Sequence, residues 1–487
     1  MELIWNECMA EQVVYCGSAQ ALVEGEIPQL EDRAANAILS ATGDVCLLGA
    51  EAGEESIRLG GEVRLQLICM GENGVFSFHS RAAFRHTVQA EGVHTDMEVM
   101  AQPALQSMEV KLVEGRITLE AVVDMNLRVS SRAPLKALCG IEGVPDLECQ
   151  GRDISFSRRE AVYETVVPLR EEIDAAEVQG ILQSDLLVTL RDLQPGGEGV
   201  ELSGSLLVSA LAQKGDGSLF HLSQSLPFTE RLDVVSAGPL YGVLSLEEGR
   251  MRAAEEFGLV VAEGRLHISL YALRQQEISL PQDMFSPSQA FACERETVTL
   301  SGDLAPLQER LALHETVNIP GGLPEARRVL YTAVRPVITA SNVTEEQLSI
   351  EGLLVTRILY ESEAGTINAF TEDIPFTANL PAAGATEAIA TAQAIAAAGG
   401  SGRALEVNYT IQLQALLWSQ SQAQVVTGLA ECPPAPQPQG IIVYFAGAGE
   451  TLYDVAKRFA VPVAALGAAL EGESPALEEG QRLVFLR

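Results

Sequence analysis

The sequence is poor in positive charge: 32 Lys and Arg stand against 66 Asp and Glu, a formal net charge of −34 over 487 residues. A chain of that sign is repelled by phosphate, which argues against nucleic acid and anionic membrane surfaces as partners. It has no run of the ~18–20 apolar residues that a membrane-spanning helix needs. Its opening, MELIWNE, carries neither the basic residues nor the apolar stretch of a secretory leader. These absences together read as a cytosolic protein with no integral membrane segment. Cysteine is scattered (Cys8, Cys16, Cys46, Cys69, Cys139, Cys149, Cys293, Cys432), without the close pairs of a zinc site or the density of a disulfide framework, so reduced structural thiols are expected.

The marks of chemistry are missing too. There is no Gly-x4-Gly-Lys-Ser/Thr loop, no Gly-x-Ser-x-Gly elbow and no His-Glu-x-x-His helix. His79, His86 and His94 lie near one another in sequence, but without a spaced cysteine or acidic partner they read as hairpin and surface residues. The expectation is a chain with no catalytic residues, no metal and no cofactor, that is, not an enzyme.

What the sequence does have is a repeat. Residues 61–84 read GEVRLQLICMGENGVFSFHSRAAF, 204–228 read GSLLVSALAQKGDGSLFHLSQSLPF, and 352–376 read GLLVTRILYESEAGTINAFTEDIPF. In each, the first glycine is followed by a second at one fixed spacing (Gly74, Gly217, Gly365) and then by a phenylalanine (Phe84, Phe228, Phe376). Such self-similarity decides the architecture before any local reading. Counting from the first glycine, Val63, Leu65, Leu67 and Cys69 share a face, as do Leu206, Val208 and Ala210, and Leu354, Thr356, Ile358 and Tyr360. That alternation predicts half-buried strands, with the second glycine supplying a hairpin turn.

A lead-in ending at proline precedes each copy (Ile27-Pro28, Val167-Pro168, Ile319-Pro320), which reads as a strand stopping at a domain edge. A Gly-Arg pair comes after each copy, and beyond Gly402-Arg403 the residues Leu405, Val407, Tyr409, Ile411 and Leu413 alternate cleanly as a strand. The Ala-rich stretch from Ala382 to Ala398 reads as a short helix.

The run Pro433-Pro434-Ala435-Pro436-Gln437-Pro438 then interrupts the pattern as a semi-rigid spacer. Beyond it, Leu452, Val455, Ala456 and Phe459 form one helical face behind a Thr451 cap, and Pro462 opens a second helix. With flanking strands the order is βααβ. The predicted fold is mainly β: three repeated β-sandwich or barrel-like domains (1–148, 149–294, 295–430), a Pro-rich linker (431–439) and a small α+β domain (440–487).

That tail resembles a LysM domain through Tyr444, Gly449-Glu450-Thr451-Leu452, Ala456-Lys457-Arg458-Phe459 and Gly480-Gln481-Arg482-Leu483. The β repeats resemble the SPOCS domain through the Gly-x-Leu/Val strand, the Gly turn and the Pro-Phe-Thr of Pro227-Phe228-Thr229 and Pro375-Phe376-Thr377. Together they are similar to the SipL-type family of spore coat morphogenetic proteins. The resemblance implies a scaffold in the mother cell, at the forespore surface and spore coat, that binds the coat's basement-layer ATPase, stage IV sporulation protein A, through its LysM domain, with other coat proteins as further partners. Glycan-binding LysM domains end their second helix in Leu-Asn where this chain has Ala468-Ala469-Leu470-Glu471-Gly472, so a protein is expected as the ligand in place of a glycan. The expected contact residues are Ile441, Thr451, Leu452, Tyr453, Leu470 and Gly472, with Tyr453, which lies off the apolar helical stripe, tucked under the neighbouring loop or offered as an aromatic anchor. The alternative is a peptidoglycan- or chitin-oligomer-binding LysM protein on a β-repeat stalk.

Overall fold

The computed structural model describes residues 3–29, 33–72, 74–175, 177–196, 199–234, 238–254, 258–344, 346–433, 440–467 and 477–487, with the backbone alone at 8–10 and 133–134. The chain is almost entirely antiparallel β. The first sandwich contains β1 (Leu3–Ile27), β2 (Ala37–Gly53), β3 (Ser56–Gly71), β4 (Gly74–Gln89), β5 (Glu98–Val113) and β6 (Arg116–Ile141). A meander β2-β3-β4 faces a second sheet ordered β1-β6-β5. Between them lie Val63, Leu65 and Leu67 from β3, Leu119, Ala121 and Val123 from β6, and Phe84. The predicted alternation thus decides which side of β3 is buried.

The second sandwich repeats the plan with β7 (Glu148–Asp174), β8 (Val178–Gly196), β9 (Gly199–Lys214), β10 (Leu219–Leu232), β11 (Leu240–Ala253) and β12 (Leu259–Phe285). Its sheets run β10-β9-β8 and β11-β12-β7. The third uses β13 (Phe291–Asp303), β14 (Leu307–Asn318), β15 (Ala326–Val343), β16 (Gln347–Ser362), β17 (Ile367–Pro381), β18 (Glu387–Gly399) and β19 (Ala404–Glu431), ordered β15-β16-β17 and β13-β19-β14 with β18 also on β19.

The register explains the recurring glycine and phenylalanine. Gly61 pairs directly with Phe84, Gly204 with Phe228 and Gly352 with Phe376. Each ring lies across its glycine, so an added Cβ would come within 2.6, 2.4 and 2.5 Å of the ring, respectively. A neighbouring strand's carbonyl (Cys46, Thr189, Val337) closes the same space. Only a glycine lets ring and backbone approach this closely, and the ring covers the gap that the glycine leaves.

Three local expectations change. Residues 387–399 form strand β18, not a helix. Ala390 and Ala396 face the third core while Ile395 packs on Leu187 and Leu207 of the second sandwich. Burial on both faces overrides alanine's helical preference. At Pro168 the chain does not stop, because β7 is the outer strand of its sheet and needs no amide there. Gly249-Arg250 opens no strand; it lies near the end of β11, beside a register shift.

In each unit the first and last strands are far longer than the sandwich needs. Beyond a break they continue as a two-stranded ribbon: a bulge at Val13/Tyr15 in β1, one at Leu270/Tyr271 between β12 and β7, and the gap before Pro306 between β13 and β14. Bulges bend a strand and re-aim the residues beyond the bend. The ribbons then meet in a shared core of Leu135, Ala137, Ile154, Ile278, Leu280, Val298, Leu300, Ala423 and Val425. A second shared core joins the meanders through Leu39, Ile68, Leu211, Leu219, Leu330, Tyr331 and Leu359. The three sandwiches surround a central cavity of about 1630 Å³.

Trp418 sits where the ribbons depart. Arg128 of the first sandwich lies 4.5 Å from the ring centroid and Arg159 of the second 5.8 Å. Arg128 is buried, donating to Glu11 at 2.9 Å and to Ser301 at 2.7 Å. One indole therefore gathers a cation from each of the other two units.

Candidate functional site

The C-terminal unit consists of β20 (Ile441–Phe445), α1 (Leu452–Phe459), α2 (Val463–Gly467) and β21 (Arg482–Leu486). Thr451 caps α1: its hydroxyl accepts from the Asp454 amide, and the Asp454 carboxylate accepts from the Thr451 amide at 2.9 Å. This reciprocal box fixes where the helix begins. Ala460, left-handed at φ 47°, ends it. Val455, Ala456 and Leu466 are fully enclosed, with Tyr444, Phe459 and Phe485 stacked edge to face beside them. The loop before α1 is held by Glu450, which accepts from the Gly447 amide at 2.8 Å and the Tyr444 hydroxyl at 2.8 Å and pairs with Arg458. The Gly447 amide and the Tyr444 hydroxyl hold its carboxyl below the usual range.

The unit is seated on the second sandwich. Tyr453 packs edge to face on Phe285 at the end of β12, centroids 5.2 Å apart. Lys457 donates to Asp283 at 2.7 and 2.5 Å, and Arg295 binds the same carboxylate. Burial works against the charge on Asp283, but the bonds from Lys457 and Arg295 win and hold its carboxyl below its ordinary value. The Val463 amide donates to Glu148 at 3.2 Å. The proline run reads as a semi-rigid spacer, yet the helical side of the unit is committed to an intramolecular contact. Residues 434–439 of that run lie outside the described residues.

This seat redistributes the expected contact residues. Ile441 is 77% exposed. Thr451 serves as a helix cap and Leu452 packs partly against the unit's own core. Tyr453 is not offered as an anchor: it is buried, and burial pushes its hydroxyl's pKa up. The reason is Phe285, which no periodicity in the tail could announce. Leu470 and Gly472 lie outside the described residues.

The surface that sequence reasoning passed over is the outer face of the ribbon. Ile441 pairs with Leu486, Val443 with Val484 and Phe445 with Arg482. All five apolar members of these pairs are exposed, from 43% for Val484 to 77% for Ile441. A signal was present: IIVYF and RLVFL are apolar on both strand faces, although a two-stranded surface ribbon buries only one. No other two-stranded ribbon covers that second face among the described residues.

Among the described residues, no cluster of three His, Cys, Asp or Glu is placed to hold a metal, and no helix is long and apolar enough to cross a membrane. His94 pairs with Glu54 at 3.1 Å, and burial lowers the pKa of His79 at the central cavity.

Residues 35–126 and 325–396 match the family model described as SipL, SPOCS domain. The match covers the meander and adjoining strands of the first and third sandwiches, the segments that carry Gly61/Phe84 and Gly352/Phe376. It supports kinship with SipL-type, sporulation-related coat proteins. The second sandwich has the same pair in Gly204/Phe228 without being part of the match. No curated protein and no solved structure matches the chain.

Proposed function

We propose that this chain is a non-enzymatic scaffold of spore coat assembly that works in the mother cell at the forespore surface. In this reading three SPOCS-type units (1–148, 149–294, 295–430) form a rigid body, residues 431–439 are a linker, and residues 440–487 are a LysM domain that grips the coat's basement-layer ATPase, stage IV sporulation protein A. The family match at 35–126 and 325–396 supports the sporulation setting. The observation that carries the binding role is the exposed apolar face on the last unit, Ile441, Val443, Phe445, Val484 and Leu486. Contiguous apolar surface of this kind marks an interaction site. Glycan recognition would instead call for polar groups converging on each sugar, because an unpaired buried hydroxyl costs about 1–3 kcal/mol.

The test is binding of the purified full chain to the purified coat ATPase, to peptidoglycan and to chitin oligomers, by calorimetry. Saturable binding to the ATPase alone is the expected result. Saturable binding to peptidoglycan or chitin, with none to the ATPase, would overturn the proposal in favour of a glycan-binding protein.

A further inference from the structure

We infer that the outer face of the β20–β21 ribbon is the docking surface, and that its occupant is a partner segment with an apolar stripe and a carboxylate placed to meet Arg482. The inference rests on the protein-binding reading above and narrows it to one surface and one chemistry. The unit has two broad sides. Its helical side is occupied by the second sandwich through Tyr453 on Phe285 and Lys457 on Asp283. The ribbon's outer face is the side left open, and its three cross-strand pairs are apolar except at one corner.

That corner is Arg482, opposite Phe445 and exposed. In a chain with twice as many acidic as basic residues, most arginines have a carboxylate partner; Arg458, in the same unit, pairs with Glu450 at 2.7 Å. Arg482 makes no ion pair among the described residues, so the face presents an unspent guanidinium beside an apolar patch. A planar guanidinium favours a carboxylate that can meet it with two parallel hydrogen bonds. The same charge balance argues against a second copy of this chain as occupant, since two bodies of net −34 repel.

Two variants of the full chain test this against the purified coat ATPase. Val443→Ser with Phe445→Ser leaves the inward residues Ile442, Tyr444, Leu483 and Phe485 untouched, and Arg482→Glu reverses the one charge. An unchanged unfolding midpoint certifies each as folded. The double serine variant is expected to weaken binding tenfold or more. Arg482→Glu is expected to weaken it by a factor that shrinks as salt rises, while Arg482→Lys recovers part of the loss. Binding by the unaltered chain that survives both variants overturns this inference and leaves the wider reading standing. No binding by the unaltered chain overturns both. A dimer of this chain that the serine variant abolishes would overturn it in favour of self-association.

Discussion

At the scale of single residues, the most consequential group is Asp185. It is half-buried on β8 where the second and third sandwiches meet, and it accepts from the Tyr331 hydroxyl. His221 lies edge-on to Tyr331 with centroids 6.0 Å apart, is held to Ser209 at 2.8 Å, and has its own pKa lowered by burial. Burial raises the Asp185 pKa from 3.8 to about 6, more than the tyrosine's bond lowers it. The folded state therefore holds this proton more tightly than the unfolded chain does. Its stabilising contribution is complete below the unfolded value and is lost as pH rises through about 6. Asp185→Asn should abolish that dependence. Relative to wild type, the variant is expected to gain of order 2–3 kcal/mol in unfolding free energy between pH 4 and pH 7, measured by denaturant titration at both. A constant difference across the range would show that Asp185 does not titrate there. A second test at this scale concerns Tyr453, whose hydroxyl finds no hydrogen-bond partner among the described residues. Tyr453→Phe should be neutral or mildly stabilising, because it removes an unpaired buried polar atom. Tyr453→Ala should loosen the seat, seen as faster amide exchange across 452–459.

At the scale of elements, the glycine and phenylalanine pair is the feature most directly tested. Replacing Gly61, Gly204 or Gly352 by Ala places a methyl against both a ring and a backbone carbonyl. Each is expected to cost about 1–3 kcal/mol, read as a lowered unfolding midpoint. Phe376→Leu made together with Gly352→Ala should recover part of the loss, since the obstructing ring is gone. The hairpins were legible in the sequence because their evidence is local: alternation fixes the buried face of β3, and positive-φ glycines at Gly74, Gly217 and Gly365 supply the turns. The alanine stretch misled because its conformation is decided by neighbours far along the chain, β19 on one edge and the second sandwich on one face. The tail divides in the same way. Its βααβ order and Thr451 cap are written in adjacent residues, whereas the burial of Tyr453 depends on Phe285 in another unit. The exposed face that Ile441 shares with Val443, Phe445, Val484 and Leu486 was hidden because an apolar strand ordinarily reads as a buried one.

At the scale of the whole molecule, the three sandwiches are not beads on a string. Their ribbons share one core and their meanders another, and Trp418 ties Arg128 and Arg159 to the third unit. Trp418→Ala should cost about 3–5 kcal/mol and should also split a single cooperative transition into separate steps, visible by calorimetry. If Trp418→Ala melted in one step with an unchanged midpoint, the indole would be a passenger at that junction.

The pairing of first with last strands also sets an order of birth. β1 finds its partner only when β6 has been made, β7 waits for β12, and β13 and β14 wait for β19. Up to that moment each unit leaves the ribosome with a long open strand, the kind of edge that recruits other chains. The ribbon core cannot close before residue 425 has been added. A chain that stops short of β19 has paired the long strands of its first two units but leaves the third unit and the shared ribbon core open. Such a chain presents the apolar residues of the ribbon core to water, the kind of exposed surface that chaperones engage.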